Sequence, residues 1–412
     1  MGHFIQLHFL TAYPPANLNR DDLGRPKTAI FGGTQRLRVS SQSLKRAWRT
    51  SAVFERTFGE LGAGTLGLRT KDLGDFIVEK LLATGDIAED DAKAIAREIS
   101  RKLGALDGED ADSGEGDASG DEESADIAAG KKKGKKASEG HNNKQLVHIS
   151  ATERQLLEDL CLDLLTDPER LSAFVAECRG NAAQEKTKRR KAPMNKVFQE
   201  GLEAKLFDAK HSTTAVDIAM FGRMLADAPS HNIEAACQVA HALSVHKVAV
   251  EDDFFSAVDD LNDRDESRGS GHISTTEFAA GVMYHYVCID TDLLKKNLNG
   301  NGGLSKQAIA ALVEACATVA PTGKQNSFGS RARASYLLAE RGGQQPRSLC
   351  AAFLRPIDDQ DLMTASIRAL EATRAGMDKV YEPCSDAQSA FNCLTGTGSL
   401  ADVVAFCQES LS

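Results

Sequence analysis

The sequence predicts an α+β fold, and two periodicities that occupy separate stretches carry the prediction. In HFIQLHFLTAY, residues 3–13, Ile5, Leu7 and Phe9 alternate with Gln6 and His8, the pattern of a strand with one buried face. Helical spacing takes over in residues 52–105, first in Phe76, Val78, Leu81 and Leu82, then in Ala92, Ile95, Ile99 and Leu103. Alternation returns in AACQVAHALSVHKVAV, residues 235–250, read as one strand. Strands separated by helices in this way suit a ferredoxin-like sheet of the kind used by RNA-recognition (RRM-like) domains.

The first strand carries one ambiguous residue, His8. A lone histidine on a strand surface, with no ligand cluster nearby, reads as a bystander. At 412 residues, 42% of them apolar, the chain can fill one large core or two modest ones. Aromatics make up only 6%, so base stacking is not expected to be a main device, and the aromatic pair of an ordinary RNA-recognition sheet is missing. No apolar run approaches eighteen residues and the N-terminus enters a strand directly, so a soluble cytoplasmic protein is expected. Nine scattered cysteines, none in CxxC spacing, read as buried apolar side chains of a reducing compartment, neither zinc ligands nor a disulfide frame.

The net charge is −10, yet the first fifty residues hold eight Lys and Arg against Asp21 and Asp22 alone, a local +6. A basic island in an acidic protein is a docking surface for an anion. Within it, after a Gly32-Gly33 turn, Gln35, Leu37 and Val39 alternate with Arg36, Arg38 and Ser40, a strand with one apolar and one basic face. Ser40 or Ser41 then caps a helix whose Leu44, Ala47, Trp48 and Ser51 share one side, with Gln42, Lys45, Arg46 and Arg49 on the other. Its first turn offers free backbone amides to a phosphate, with Lys45 and Arg49 at the flank.

These residues resemble a known family. NRDD (19–22), TAIFGG (28–33) and RLRVSSQSLKRAWR (36–49) are similar to the N-terminal signature of the CasC-type backbone subunit of the type I-E CRISPR surveillance complex, Cascade. DIAMFGRM (217–224), FSAVDDL (255–261) and TTEFAAGVMYHYVCI (275–289) extend the similarity in the same order. The resemblance implies a hand: a ferredoxin-like palm in residues 1–51, 217–247 and 281–412, a helical fingers insertion in 52–216 and a β-hairpin thumb in 248–280. It implies CRISPR RNA held by Arg20, Lys27, Ser40, Gln42, Lys45, Arg46, Arg49, Arg223 and Lys324, and bases kinked by Met224, Phe255 and Ile273. Copies would run head to tail along the guide, beside large, small, 5′-end-capping and RNA-processing subunits, and present the guide to a target DNA strand. Neither cofactor, metal nor membrane is called for.

The remaining stretches follow in order. Residues 107–126 carry ten acidic side chains among Gly, Ser and Ala, and five lysines follow by residue 136, so a disordered loop over 106–145 is expected. From Gln145 a strand (QLVHIS) and a helix through Glu153 to Leu165 resume the fold. Lys186, Lys188, Arg189, Arg190 and Lys191 form a second basic run, read as a DNA-guiding patch or a solvated linker. Residues 248–280 read as a projecting hairpin, which needs something packed on it. For Phe255 and Met224 ordinary core is the alternative. Lys324, Arg331 and Arg333, beside a strand, are further phosphate contacts, and a helix over 362–374 is expected to pack on the palm. GNGG at 300–303 lacks the lysine and spacing of a nucleotide loop. No catalytic motif stands out, so no enzyme is expected. The enzymatic alternative is metal-assisted RNA cleavage through Asp21 or Asp22; the simpler role of Asp21 is to order its loop by pairing with Arg20 or Arg25. A stand-alone single-strand binding protein is the other alternative.

Overall fold

The computed structural model describes residues 3–59, 65–85, 87–107, 140–187, 215–225, 229, 232–257 and 272–409. A mixed α/β architecture is built on a largely antiparallel sheet of order β11-β10-β1-β9-β7-β3-β2, with β6 and β8 also paired to β9. β1 (Phe4–Ala16) lies between β9 (His272–Asp290) and β10 (Ala334–Gly342), in register Phe4↔Asp290 and Phe4↔Gly342. An interior strand has no free edge, and from Ile5 to Thr11 this one has no free face either. Ile5, Leu7 and Phe9 join Leu44, Trp48, Phe54, Phe58, Leu312 and Val403 in the main core, under helices α1 (Ser41–Arg49), α2 (Ala52–Gly59), α9 (Gly302–Thr318) and α12 (Leu400–Gln408).

The opposite face of β1 is covered by α11 (Leu362–Tyr381), whose Met363, Ile367 and Leu370 meet Leu10, Val282, Tyr284 and Leu338. This corrects the expectation of a single buried face. Gln6 and His8 are buried, and His8 is an interior group set between Tyr284 and Glu340, not a surface bystander. Its Nδ1 is 2.9 Å from the Tyr284 hydroxyl and its Nε2 is 3.2 Å from Glu340 Oε2. Arg347 donates to both oxygens of Glu340 at 2.6 and 3.0 Å, and its backbone amide donates to Gln6. Burial opposes the charge on Glu340, yet the bonds from His8 and Arg347 hold its carboxyl down to about 2; burial holds the His8 pKa below its ordinary value.

A second core belongs to α3 (Leu73–Thr84), α4 (Glu89–Leu103), α5 (Ala151–Thr166) and α6 (Pro168–Thr187), packed around Leu73, Ile77, Leu81, Ile95, Ile99, Leu157 and Phe174. Leu82 turns out to face solvent, because the buried stripe of α3 runs through Leu73, Ile77 and Leu81. The short strands β4 (Leu68–Thr70) and β5 (Val147–Ile149) pair beside this core. Leu106 bridges Asn143, which draws the two ends of the charged insertion together; residues 108–139 between them lie outside the described residues.

The strand expected at 235–250 is divided into β6 (Cys237–Val239) and β7 (Ala242–Ser244), both laid on β9 with Ala240 and His241 between them. β8 (Glu251–Ala257) pairs with the outer stretch of β9, from Glu251↔Phe278 to Ala257↔His272, and makes the expected hairpin. β11 (Ala387–Asn392) and α12 had no reading in the sequence. Most cysteines are buried and all described ones are free, Cys393 being exposed; burial pushes the Cys161, Cys178, Cys237 and Cys407 thiols up to about 12.

Candidate nucleic-acid interface

The basic island folds into a hairpin, a loop and a helix. β2 (Thr28–Phe31) and β3 (Thr34–Val39) are joined by Gly32 and Gly33, both at positive φ, a two-residue turn that side chains would strain. A Cβ on Gly32 would lie 1.7 Å from the Leu354 carbonyl, so the turn is seated on the neighbouring backbone as well. On β3 the two arginines part company. Arg36 is wholly buried and donates to the carbonyls of Ser244 and Phe353 and to Thr34 Oγ1, each at 2.9 Å. The expected basic face therefore does not run the length of the strand: the turn at Cys350–Phe353 covers its start. Arg38 stays outside, with Nη1 2.9 Å from His241 Nδ1, a neighbour the sequence reading missed.

Residues 19–27 close into a loop beside this strand. Asp21 Oδ1 accepts the amides of Leu23 and Arg25, Lys27 donates its amide to the Asn19 carbonyl, and the Lys27 carbonyl accepts the Arg38 amide. The role of Asp21 as an organiser of the loop holds, with backbone amides as its partners; the Arg25 guanidinium reaches Glu277 at 3.0 Å instead. Asn19 Oδ1 then accepts the Ser40 amide, which ties the loop to the start of α1.

Ser40 is the cap of α1, its hydroxyl accepting the Ser43 amide; it is buried, so it shapes the helix start more than it faces a ligand. Gln42 is half-buried in the first turn and Arg46 is exposed. Lys45 lies 6.0 Å over the Phe221 ring, and Phe221 ends the short helix α7 (Val216–Phe221). Arg49 bends inward, its Nη1 3.6 Å from Asp217 Oδ2 at the start of α7. Burial opposes the charge on Asp217, but His148, the Gly67 amide and Arg49 hold its carboxyl below the ordinary value.

The far end of this face is made by the hairpin. Lys324 donates to Thr276 Oγ1 at 2.6 Å, and Asn17 bonds the carbonyls of Gly24 and Glu277, so Lys324, the loop and the root of the hairpin share one margin. Met224, Phe255 and Ile273 are 68%, 43% and 59% exposed, which removes the core alternative for Met224 and Phe255. The ladder, however, divides them. Phe255 faces the side of Ser274, whereas Ile273 shares the opposite side with Ser256 and Phe254. Phe254, 68% exposed, is the apolar residue that was overlooked. Two adjacent phenylalanines in a strand must point to opposite faces, so the signal was in the sequence.

Other expected residues do not join. Arg223 is buried, with Nη1 2.7 Å from Glu153 Oε1, and its guanidinium cannot reach a strand of RNA from there. Lys186 lies near the end of α6, while Lys188, Arg189, Arg190 and Lys191 fall outside the described residues. Among the described residues no group of His, Cys, Asp and Glu could hold a metal, and no helix is long and apolar enough to cross a membrane.

Hydrogen bonds thus link the margin at Lys324, through the loop that carries Arg20 and Lys27, to Arg38 and to the start of α1, which carries Lys45 and Arg46. Lys45 lies over Phe221, three residues before Met224. Known proteins share the fold that presents this face. A chain of a CRISPR RNA-guided surveillance complex, described as pre-nicking, is 25% identical with a TM-score of 0.70, over 99% of this chain and 100% of its own. A second, from a CRISPR RNA-guided surveillance complex, is 21% identical with a TM-score of 0.61 over 99% of each chain. No curated protein matches. The CT1975-like protein family matches residues 5–405, almost the whole length, and the chain belongs to that family.

Proposed function

We propose that the chain is the CasC-type backbone subunit of a type I-E Cascade, a soluble cytoplasmic protein that holds CRISPR RNA and works by binding, without catalysis. The observation that carries this reading is the basic face itself, set in a fold that a chain of a CRISPR RNA-guided surveillance complex shares across its length. Arg20, Lys27, Lys45, Arg46 and Lys324 meet phosphates and release counterions, which favours any sequence equally, while the neutral Gln42 contributes a hydrogen bond. Arg49, turned inward to Asp217, braces the end of α1.

The strand order β10-β1-β9-β7 supports calling the sheet a ferredoxin-like palm, with the α3–α6 unit as fingers and the β8–β9 hairpin as thumb. Met224 in one copy and Phe254, Phe255 and Ile273 on the thumb of the next are the apolar wedges that displace a base at intervals. The contact is heterologous and does not close, so copies polymerise to the length of the guide and end at capping subunits. Exposed bases then pair with the target DNA strand and supply the specificity. Asp21 serves its loop and is not a cleavage residue.

The test is purification from cells that carry a CRISPR array. A small RNA should come with the chain, and nuclease should leave protected lengths in constant increments. A chain free of RNA and indifferent to added guide would sink the proposal. Equal assembly on any RNA without partner subunits would make it a stand-alone single-strand binder.

A further inference from the structure

Met224 stands between two buried residues. Arg223 before it and Leu225 after it are 5% and 3% exposed, whereas Met224 is 68% exposed. Both neighbours are held by the helical unit rather than by the sheet. Leu225 belongs to the core of α3–α6, and its amide donates to Asn232 Oδ1 at 2.6 Å. Arg223 Nη1 lies 2.7 and 2.8 Å from the two oxygens of Glu153 and 3.3 Å from the His148 carbonyl.

Glu153 is no ordinary surface acid. It closes the capping box of α5, accepting the Ser150 amide at 2.7 Å and the Ser150 hydroxyl at 2.9 Å while Arg223 occupies its remaining lone pairs. Six residues before Arg223 a second tie is made by the same unit: His148 Nε2 is 3.1 Å from Asp217 Oδ2, and Asp217 Oδ1 accepts the Gly67 and Ile218 amides. Gly67 has to be glycine, since a Cβ there would sit 2.5 Å from His148 Nε2. The chain between the ties turns at Gly222, at φ +79, and Arg223 exchanges both backbone bonds with Ile233.

We infer that Glu153 and His148 are positioning residues: the helical unit fixes the projection of Met224 through two buried carboxylate pairs, Glu153–Arg223 and His148–Asp217. The inference deepens the reading of Met224 as a base-displacing wedge and rests on it for its consequence in RNA. With Arg223 and Leu225 both turned inward, an extended backbone leaves Met224 no direction but outward. The same ties hold Asp217 against Arg49, so the wedge and the C-terminal end of α1 share one support.

The experiment uses the full chain with Cys393→Ser, to remove the exposed thiol, and Met224→Cys carrying a nitroxide label. Arg223→Lys keeps the charge but ends one bond short of the Nη1 that meets both oxygens of Glu153 and the His148 carbonyl. It should sharpen the nitroxide spectrum, reporting a freed side chain, while the emission of Trp48, the single tryptophan, stays unchanged. In parallel, with residue 224 left as Met and no label, a single-stranded RNA bearing one 2-aminopurine is scanned base by base. Arg223→Lys should bind within about two-fold of the parent yet lose the bright positions, as Met224→Ala does.

An unchanged nitroxide spectrum overturns the inference whatever the RNA does. So does a folded Arg223→Lys chain whose RNA affinity falls ten-fold, because that marks Arg223 as a general binding group. If the parent chain itself shows no bright positions, the wedge reading fails, and the spectrum still decides the support. Should Arg223→Lys not fold, Glu153→Asp, one methylene shorter, is read by the same two signals and judged by the same outcomes.

Discussion

From Ile5 to Thr11 both faces of β1 are covered, but they are differently built. Ile5, Leu7 and Phe9 enter an apolar core, while Gln6 and His8 enter a polar layer with Tyr284, Tyr286, Glu340 and Arg347 under α11. The difference teaches that alternation along a strand reports chemistry and not exposure. A polar side chain in the middle of a sheet is tolerated when distant segments bring it partners, and Arg347 lies far along the chain from His8.

That contrast can be broken by substitution. Arg347→Met takes the guanidinium from buried Glu340 and leaves it only His8 and the Ser385 hydroxyl, and urea unfolding at pH 7 should show a loss of about 3–5 kcal/mol. Adding Glu340→Gln should recover much of it, because the uncompensated charge is gone. Leu7→Ala on the other face leaves a cavity and should cost about 3 kcal/mol. If Arg347→Met proved the milder of the two, the polar layer would be an incidental covering and not a support.

Acid sharpens the contrast. His285 is buried against Phe9 with ring centroids 4.5 Å apart, and burial lowers its pKa to about 3. Because the folded value lies below the unfolded one, its neutral form stabilises the fold above about pH 6.5, and that contribution drains away as pH falls toward 3. His285→Phe should therefore be more stable than the parent at pH 5 by about 2 kcal/mol relative to their difference at pH 7. Glu340 behaves in the same sense at lower pH: its contribution is complete above about 4.5 and is lost as pH falls through about 2. Parallel melting curves from pH 7 to pH 4 would reveal a slope shallower by about one proton in the variant. Identical slopes would place the titration elsewhere.

The smallest effect on the fold should come from the basic face. Lys45→Ala with Arg46→Ala removes a half-buried and an exposed cation, so stability should move by no more than about 0.5 kcal/mol. RNA affinity should fall all the same, with the slope of log affinity against log salt reduced by about 0.7 for each lost phosphate contact. Retained affinity together with an unchanged slope would mean that this face is not where the strand lies.

The sequence disclosed this face through charge density and the cap, since Ser40, Leu44 and Trp48 follow one another at one-turn spacing. Arg36 and Arg223 were illegible for the opposite reason. Each is buried by groups far away in the chain, Phe353 for one and Glu153 for the other, and no local pattern separates them from Arg38 or Arg46. The segment 235–250 misled because alternation survives the break at Ala240 and His241, where the chain steps from β6 to β7 along the same partner. Met224, Phe255 and Ile273 were distinguished from core by resemblance alone, and their exposure is a property of the assembled fold.

β9 spans the sheet and the hairpin without a joint. At about 3.3 Å per residue its 19 residues reach about 60 Å, with Ala279 onward laced to β1 and His272 to Phe278 laced to β8. Such a strand is a cantilever clamped at its root. Load on the free end arrives at β1 as shear along a ladder instead of rotation about a pivot, so redirecting the tip means bending the beam or slipping its register, and anything docked on that tip would inherit its stiffness.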